Sequence, residues 1–394
     1  MWKFAAAGLA MLVVVIFGFS LIDSGGNGEV GADVLIAAPS TGLEGYARAL
    51  EPLDWQFPRN HGAHDDYQTE WWYYTGNLAT DDGRRFGYQF TVFRRAILPQ
   101  TVSSASEWRT NQVYMAHFTV SDIADQRFYH DERYSRGGAD LAGALPNNAQ
   151  PDAAYHVFLE DWSVQAVDDA HTRFRITAAS PYGFAVDLTL DQAKPPALQG
   201  VGGLSAKSGD AGNASHYYSL SRLITDGSIT LDDQTFTVSG TSWMDHEFST
   251  SALGTNATGW DWFGLHFDDG RDLMIGQIRL TDGGREPAFG GLLIDADGRT
   301  TYLPADAFTI AATASWASPH TGASYPAGWD VTLAADAIGA AQDLTFSVTP
   351  LQADQELHSG DIAYWEGAVR LSGDVTGYGY AELTGYVNTM TGRF

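Results

Sequence analysis

The sequence predicts an all-β protein of two related antiparallel β-domains behind an N-terminal hydrophobic segment. Three observations carry that reading. Glycine is abundant, at 43 residues, and aromatic side chains make up 13% of the chain, which suits pleated strands joined by tight turns. Short strand-like runs recur between Asp-Gly turns, with no βαβ rhythm, the pattern of a sandwich or barrel. One hairpin is also written twice. Glu70-Trp71-Trp72-Tyr73-Tyr74 leads to Asp81-Asp82-Gly83-Arg84 and a strand with Gln89. Trp260-Asp261-Trp262-Phe263 leads to Asp268-Asp269-Gly270-Arg271 and a strand with Gln277.

Residues 1–45 hold Lys3, an uncharged run of about 19 residues from Phe4 to Ile22, and a Gly-rich linker, Gly25–Gly31. The run lies between the lengths of a signal h-region and a spanning helix, and Lys3 orients the remainder outward. The expectation is a periplasmic or extracytoplasmic protein, secreted or held by this one segment. Leu43–Leu50 reads as a short helix and Arg59–Asp66 as a polar loop. Strand signals then follow at Thr69–Leu78, Phe86–Arg94, Val113–Val120, Tyr155–Val164, Arg173–Ala178, Ala185–Leu190, His216–Leu223 and Gln234–Thr241. Between them, Arg136–Gln150 reads as loop and Lys194–Gly212, around Pro195-Pro196, as a long loop or lid. A boundary near 248–255 separates an N-terminal domain, 46–250, from a C-terminal domain, 251–394. In the second, Asp261–Phe267, Leu273–Leu280, Gly290–Ile294, Arg299–Leu303, Trp329–Ala334, Leu344–Thr349, Ala363–Ser372 and Tyr378–Tyr386 read as strands.

The 394 residues, 44% of them hydrophobic, suffice for two domains with ample cores. A formal charge of −26 argues against nucleic acid or an anionic membrane as partner. The absence of cysteine excludes disulfides, thiolate nucleophiles and Cys-ligated metals. No GxGxxG follows a strand, no HExxH is present and no GxSxG elbow occurs. No cofactor and no metal are expected.

Three constellations carry candidate chemistry. In a strand, side chains alternate between faces. Glu70, Trp72 and Tyr74 therefore share one face, and Trp71, Tyr73 and Asn77 the other, so that one face is core and the other lines a cavity. Glu70 among aromatics is desolvated, which raises its pKa and makes it a candidate proton donor; the alternative is a structural hydrogen bond or an arginine partner. In Ser242–Phe248, Trp243, Asp245 and Glu247 alternate with Met244, His246 and Phe248. Carboxylates around a histidine can tune it for acid–base work. In Trp260–His266, Trp260, Trp262 and His266 share a face, with Gly264 leaving room, as a wall for an apolar ligand. His61, His64, Asp65 and Asp66 are a further source of metal ligands, but read better as a solvated loop.

At these residues the chain resembles a known family. His64–Leu78 and Ser242-Trp243-Met244-Asp245-His246-Glu247-Phe248 are similar to segments of the lipocalin-like AttH proteins and carotenoid 1,2-hydratases, over about residues 55–390. The resemblance implies two tandem lipocalin-like (calycin-type) antiparallel β-barrels. It also implies kinship with enzymes that protonate and hydrate an isolated C=C bond. The hydratase pattern continues Asp-His with Asn-Trp and places a Tyr-x-Asp on a later strand. Asp245 and His246 match; Glu247 and Phe248 depart, and Leu273–Gln277 holds no Tyr-x-Asp.

Three functional expectations follow. The first is a binding protein for an apolar small molecule, lipid or terpenoid, with Trp71, Tyr73, Trp243, Trp260 and Trp262 as wall and Glu70, His246 and His266 orienting the ligand. The second is a hydratase or isomerase in which Glu70, or Asp245 assisted by His246, protonates an alkene. The third is an accessory module of a membrane export system, with a transporter as partner and a tether through residues 4–22.

Overall fold

The computed structural model describes residues 43–100, 105–250, 253–358 and 362–390. The expectations for Lys3, Phe4–Ile22 and Gly25–Gly31 lie outside the described residues. The protein is two nearly closed antiparallel barrels. Along the first sheet the order is Arg127–Arg136, Gln112–Asp122, Arg85–Ala96, Thr69–Ala79, Gln234–Ser249, Ala214–Leu231, Phe184–Gln192, Arg173–Ser180, Trp162–Ala166, His156–Leu159 and Ala142–Leu145. Along the second it is Thr300–Leu303, Gly291–Ile294, Asp272–Leu280, Ala257–Phe267, Gly377–Leu383, Tyr364–Gly373, Leu344–Pro350, Trp329–Leu333 and Phe308–Ala312.

The repeated hairpin holds the same place in both sheets. Thr69–Ala79 pairs with Arg85–Ala96 on one side and, on the other, with Gln234–Ser249, the last strand of its sheet in sequence. Ala257–Phe267 pairs with Asp272–Leu280 and with Gly377–Leu383, the last strand of the second sheet. Alternation then sorts the side chains. Trp72, Tyr74, Phe90 and Met244 fill the first barrel, and Phe263, Leu265, Trp365 and Val369 fill the second. Each such buried side chain contributes about 1.5–3 kcal/mol. The opposite faces of these strands pack barrel against barrel. Tyr73, Tyr217, Trp243, Trp262 and Tyr380 form a separate cluster there.

Polar contacts fix the docking. Tyr73 donates to Glu366 (2.6 Å) and Asn77 Nδ2 to the Gly379 carbonyl (2.8 Å). Ala214–Leu231 has a bulge between Leu220 and Leu223. A bulge re-aims side chains; here it brings Ser221 and Arg222 to Asp272 of the second barrel, where Lys194 Nζ also binds at 2.6 Å.

Several local expectations change. Leu43–Leu50 is not helical; Tyr46 instead donates to the Ala96 carbonyl (2.8 Å). Tyr155–Val164 is two strands, turned at Glu160 with φ +58°. Arg136–Gln150 contains the strand Ala142–Leu145, and Arg127–Arg136 is a strand whose charged sequence concealed it. Gln234–Thr241 runs on to Ser249. Lys194–Gly212 is no free lid: Ala197–Leu198 and Leu204–Ala206 pair onto Ala214–Leu231. The His61 loop is not solvated. His61 is buried against Tyr218 (2.7 Å), and burial, reinforced by His246 and His171, lowers its pKa to about 3.

Candidate functional site

The strand pair Thr69–Ala79 and Gln234–Ser249 presents a polar cluster on each face. On the barrel side, Glu70 sits opposite Arg94 on the neighbouring strand. Arg94 Nε donates to Glu70 Oε2 (2.8 Å), the ring nitrogens of His246 (2.8 Å) and His64 (2.9 Å) meet Oε1, and the His64 backbone N–H reaches both oxygens. Burial alone would raise the Glu70 pKa; the Arg94 charge, with the His246 and His64 hydrogen bonds, outweighs it and holds the carboxylate well below its ordinary value. The expected proton donor is thus a fixed anion. His246 points into the barrel, stacked on Trp72, and burial lowers its pKa despite Glu70. It belongs to the Glu70 cluster and cannot assist Asp245, whose side chain leaves the other face of the strand.

That other face lines a cavity of about 100 Å³ between the barrels. Trp71, Tyr73, Phe93 and Met115 form its first-barrel wall, and Trp260, Trp262, Ile278 and Phe289 its second. Its polar groups include Lys207, Tyr217, Asp245, Glu247, Tyr364 and Glu382. Lys207 and Glu247 neutralise one another at 2.6 Å. His117 meets the Tyr364 hydroxyl (2.7 Å), and burial brings its pKa down to about 3.

Among the described residues, Asp245 and Glu382 have no arginine partner. Burial pushes the Asp245 carboxyl up to about 7, against hydrogen bonds donated by Ser219, Tyr217 (2.6 Å) and Trp243 (2.6 Å) that lower it; the Glu247 charge adds to the rise. Burial also pushes Glu382 up to about 8, with Asp245 and Glu247 raising it further and Trp260 Nε1 (3.2 Å) pulling it back. Glu366, cross-strand partner of Glu382, is raised well above its ordinary value by burial and the Glu382 charge, and its Oε2 is buried without a hydrogen-bond partner. Near neutral pH one carboxyl on each barrel can therefore exchange a proton within an aromatic-lined space.

Of the sequence candidates, Trp71, Tyr73, Asp245, Trp260 and Trp262 meet at this cavity. Trp243 lies behind it: its indole holds Asp245 and packs on Trp262. His266 does not reach the lining. It bridges Thr241 (3.0 Å) and the Ser221 carbonyl (2.7 Å), joining the two barrels. Gly264 gives its space to the Trp262 ring, not to a ligand. Sequence reasoning missed Glu382, Glu366 and Lys207. A signal existed in Tyr380-Ala381-Glu382, an aromatic-x-acid strand of the sort sought at Leu273–Gln277.

His64, Glu70 and His246 present three ligand atoms within 4.8 Å of one another. Arg94 already binds the second Glu70 oxygen, and a dication there would add buried positive charge beside the guanidinium. The trio is a hydrogen-bonded ion cluster and fits a metal poorly.

Comparison with known proteins agrees with this architecture. A model of the AttH-like family matches residues 48–386. The crystal structure of a Nitrosomonas europaea protein designated AttH superposes with a TM-score of 0.73 at 36% identity, covering 86% of this chain and 100% of that one. Kievitone hydratase from Nectria haematococca superposes with a TM-score of 0.62 at 15% identity, over 86% of this chain and 94% of its own; this is a likeness of fold. No curated protein matches the chain.

Proposed function

The chain belongs to the AttH-like family, and from that premise we propose that the cavity between its barrels binds an apolar small molecule and acts on it by proton transfer, as a hydratase or isomerase. The observation that carries this reading is the pair Asp245 and Glu382. They come from different barrels, titrate near neutral pH, and face one aromatic-lined cavity. Each barrel interior holds a large cluster of buried hydrophobic side chains, and the cavity lies between the barrels. A cavity of about 100 Å³ suits a small alkene segment at the end of a longer apolar chain.

In the hydratase form, the Glu382 carboxylic acid gives its proton to one alkene carbon, and the π pair becomes the new C–H bond. The faces of Trp71, Trp260 and Trp262 offset the positive charge left on the neighbouring carbon. Water bonds to that carbon as the Asp245 carboxylate accepts a water proton. Passage of that proton back to Glu382 restores the site. In the isomerase form, Asp245 removes a proton from the adjoining carbon and the double bond shifts. Outside the cytoplasm, where residues 4–22 would place the chain, such a protein meets apolar substrates in membranes.

The test is native mass spectrometry of protein from its own host, followed by incubation of the released ligand with the protein in D2O. A bound apolar molecule that gains carbon-bound deuterium with wild-type protein and not with Asp245→Asn or Glu382→Gln supports the reading. A bound ligand without exchange leaves only binding and overturns the enzyme assignment. No bound ligand, together with no uptake of the neutral probe N-phenyl-1-naphthylamine, overturns both.

A further inference from the structure

At the barrel rim, next to the strands Arg85–Ala96 and Gln112–Asp122, three large apolar side chains face solvent. Ile97 is 40% exposed, Leu98 49% and Trp108 60%. Soluble barrel rims do not ordinarily present such side chains together, and they mark a contact surface. The segments that bear them are pinned to each other: Ile97 N donates to the Asn111 carbonyl (2.8 Å) and Asn111 Nδ2 to the Leu98 carbonyl (2.9 Å). The rim is thus held by the sheet it extends.

Two facts identify what it meets. The chain enters the described structure beside it. Gly45 faces the Pro99 ring, and Tyr46 is bonded to the Ala96 carbonyl. About twenty residues earlier ends the uncharged run Phe4–Ile22, whose length matches a hydrocarbon core. The point where the chain enters the described structure and the apolar rim are therefore on one side of the molecule. The cavity is also on this side. Phe93 lines it and lies four residues from Ile97, ~13 Å along the strand.

We propose that the rim bearing Ile97, Leu98 and Trp108 seats on a bilayer of neutral phospholipid. A tryptophan at the lipid–water boundary with aliphatic neighbours beneath it is a favoured interfacial arrangement. The charge of −26 selects a zwitterionic over an anionic surface. Resting on the function proposed above, this seat has a consequence. A long apolar ligand passes its reacting end into the cavity while the remainder stays in lipid.

The cysteine-free sequence permits single-site labelling. Leu98→Cys and Tyr182→Cys, each in the full chain, take a nitroxide and are placed in phosphatidylcholine vesicles. Tyr182 is 71% exposed on the opposite rim, beside the Leu231–Gln234 turn. Power saturation should show the label at 98 more accessible to oxygen than to a water-soluble nickel chelate, and the label at 182 the reverse. Equal, water-like accessibility at both sites overturns the proposal. So does spin–spin broadening at 98 that persists in detergent, which would mark a second copy as the occupant. A triple variant, Ile97→Ser, Leu98→Ser and Trp108→Ala, should take N-phenyl-1-naphthylamine from vesicles roughly tenfold more slowly and bind it unchanged from detergent. Wild-type transfer by that variant overturns the capture route. Failure of both proteins to bind the probe strikes the cavity reading instead, and the spin-label result stands apart from it.

Discussion

Glu70 and Asp245 are carboxylates on adjacent, paired strands, both buried, yet they have opposite electrostatics. Glu70 leaves the barrel-facing side and meets Arg94, His64 and His246. Asp245 leaves the cavity-facing side and meets hydroxyls and an indole. The first is held ionised far below its usual range, and the second is raised to about 7. Burial is common to both, so it does not decide the outcome. For Glu70 the Arg94 cation and the two histidines in bonding contact do. The second barrel shows the limit of that rule: Asp261, on the interior-facing side of the equivalent strand, has Arg279 at 3.2 Å, yet burial still raises its pKa against the lowering by Arg279, Gln277 and Tyr386, while Glu382 on the cavity side, held by Trp260, is raised to about 8.

The sharpest way to break this contrast is Arg94→Leu. It leaves Glu70 buried without its cation, and breaking such a pair costs about 3–5 kcal/mol. Urea unfolding should show a loss of that size; a loss under about 1 kcal/mol would mean that the two histidines suffice. Asp245→Asn should do the reverse. It should leave the unfolding midpoint near wild type and cut deuterium incorporation into the bound ligand by about 10²–10⁴. Intact exchange in that variant would remove Asp245 from the chemistry.

Gly264→Val tests the wall. A Cβ there meets the Trp262 ring and lies 3.1 Å from Trp243 Cδ2. The Trp262 ring should shift into the cavity, at a cost of about 1–3 kcal/mol in stability, with weaker probe binding by fluorescence titration. Unchanged binding would show that the ligand does not use this wall.

The two faces should also respond oppositely to pH. Asp245 and Glu382 bind protons in the folded chain at pH values where the unfolded chain has lost them, from 3.8 up to about 7 and from 4.5 up to about 8. The stability they contribute is complete below those unfolded values and is lost as pH rises through about 7 to 8. Glu70, depressed below 4.5, contributes stability above that value and loses it as pH falls through its folded pKa. Thermal midpoints should therefore fall between about pH 6 and 8, and fall less in Glu382→Gln. The smallest effect calibrates the rest. Arg175 and Asp187 pair at 2.7 Å with both side chains about half exposed, and Asp187→Ala should change stability by less than about 1 kcal/mol.

Strand alternation and the duplicated hairpin made two related β-domains legible in the sequence, with the same-face sets Trp71 and Tyr73, and Trp243, Asp245 and Glu247; the barrels came from the family resemblance. The same-face sets follow from the period of two, a local property of the backbone. Which carboxylate holds a proton was not legible. That depends on Arg94, which is 24 residues from Glu70 along the chain but opposite it in register, and on Glu382, which meets Asp245 only because two barrels dock through one face. The His61 loop and His246 were misread for the same reason. Their hydrogen-bond partners come from remote strands, and the energy of a buried charge is set by what surrounds it in space. The sequence determined the walls of this protein, and the tertiary structure decided which of its acids are charged.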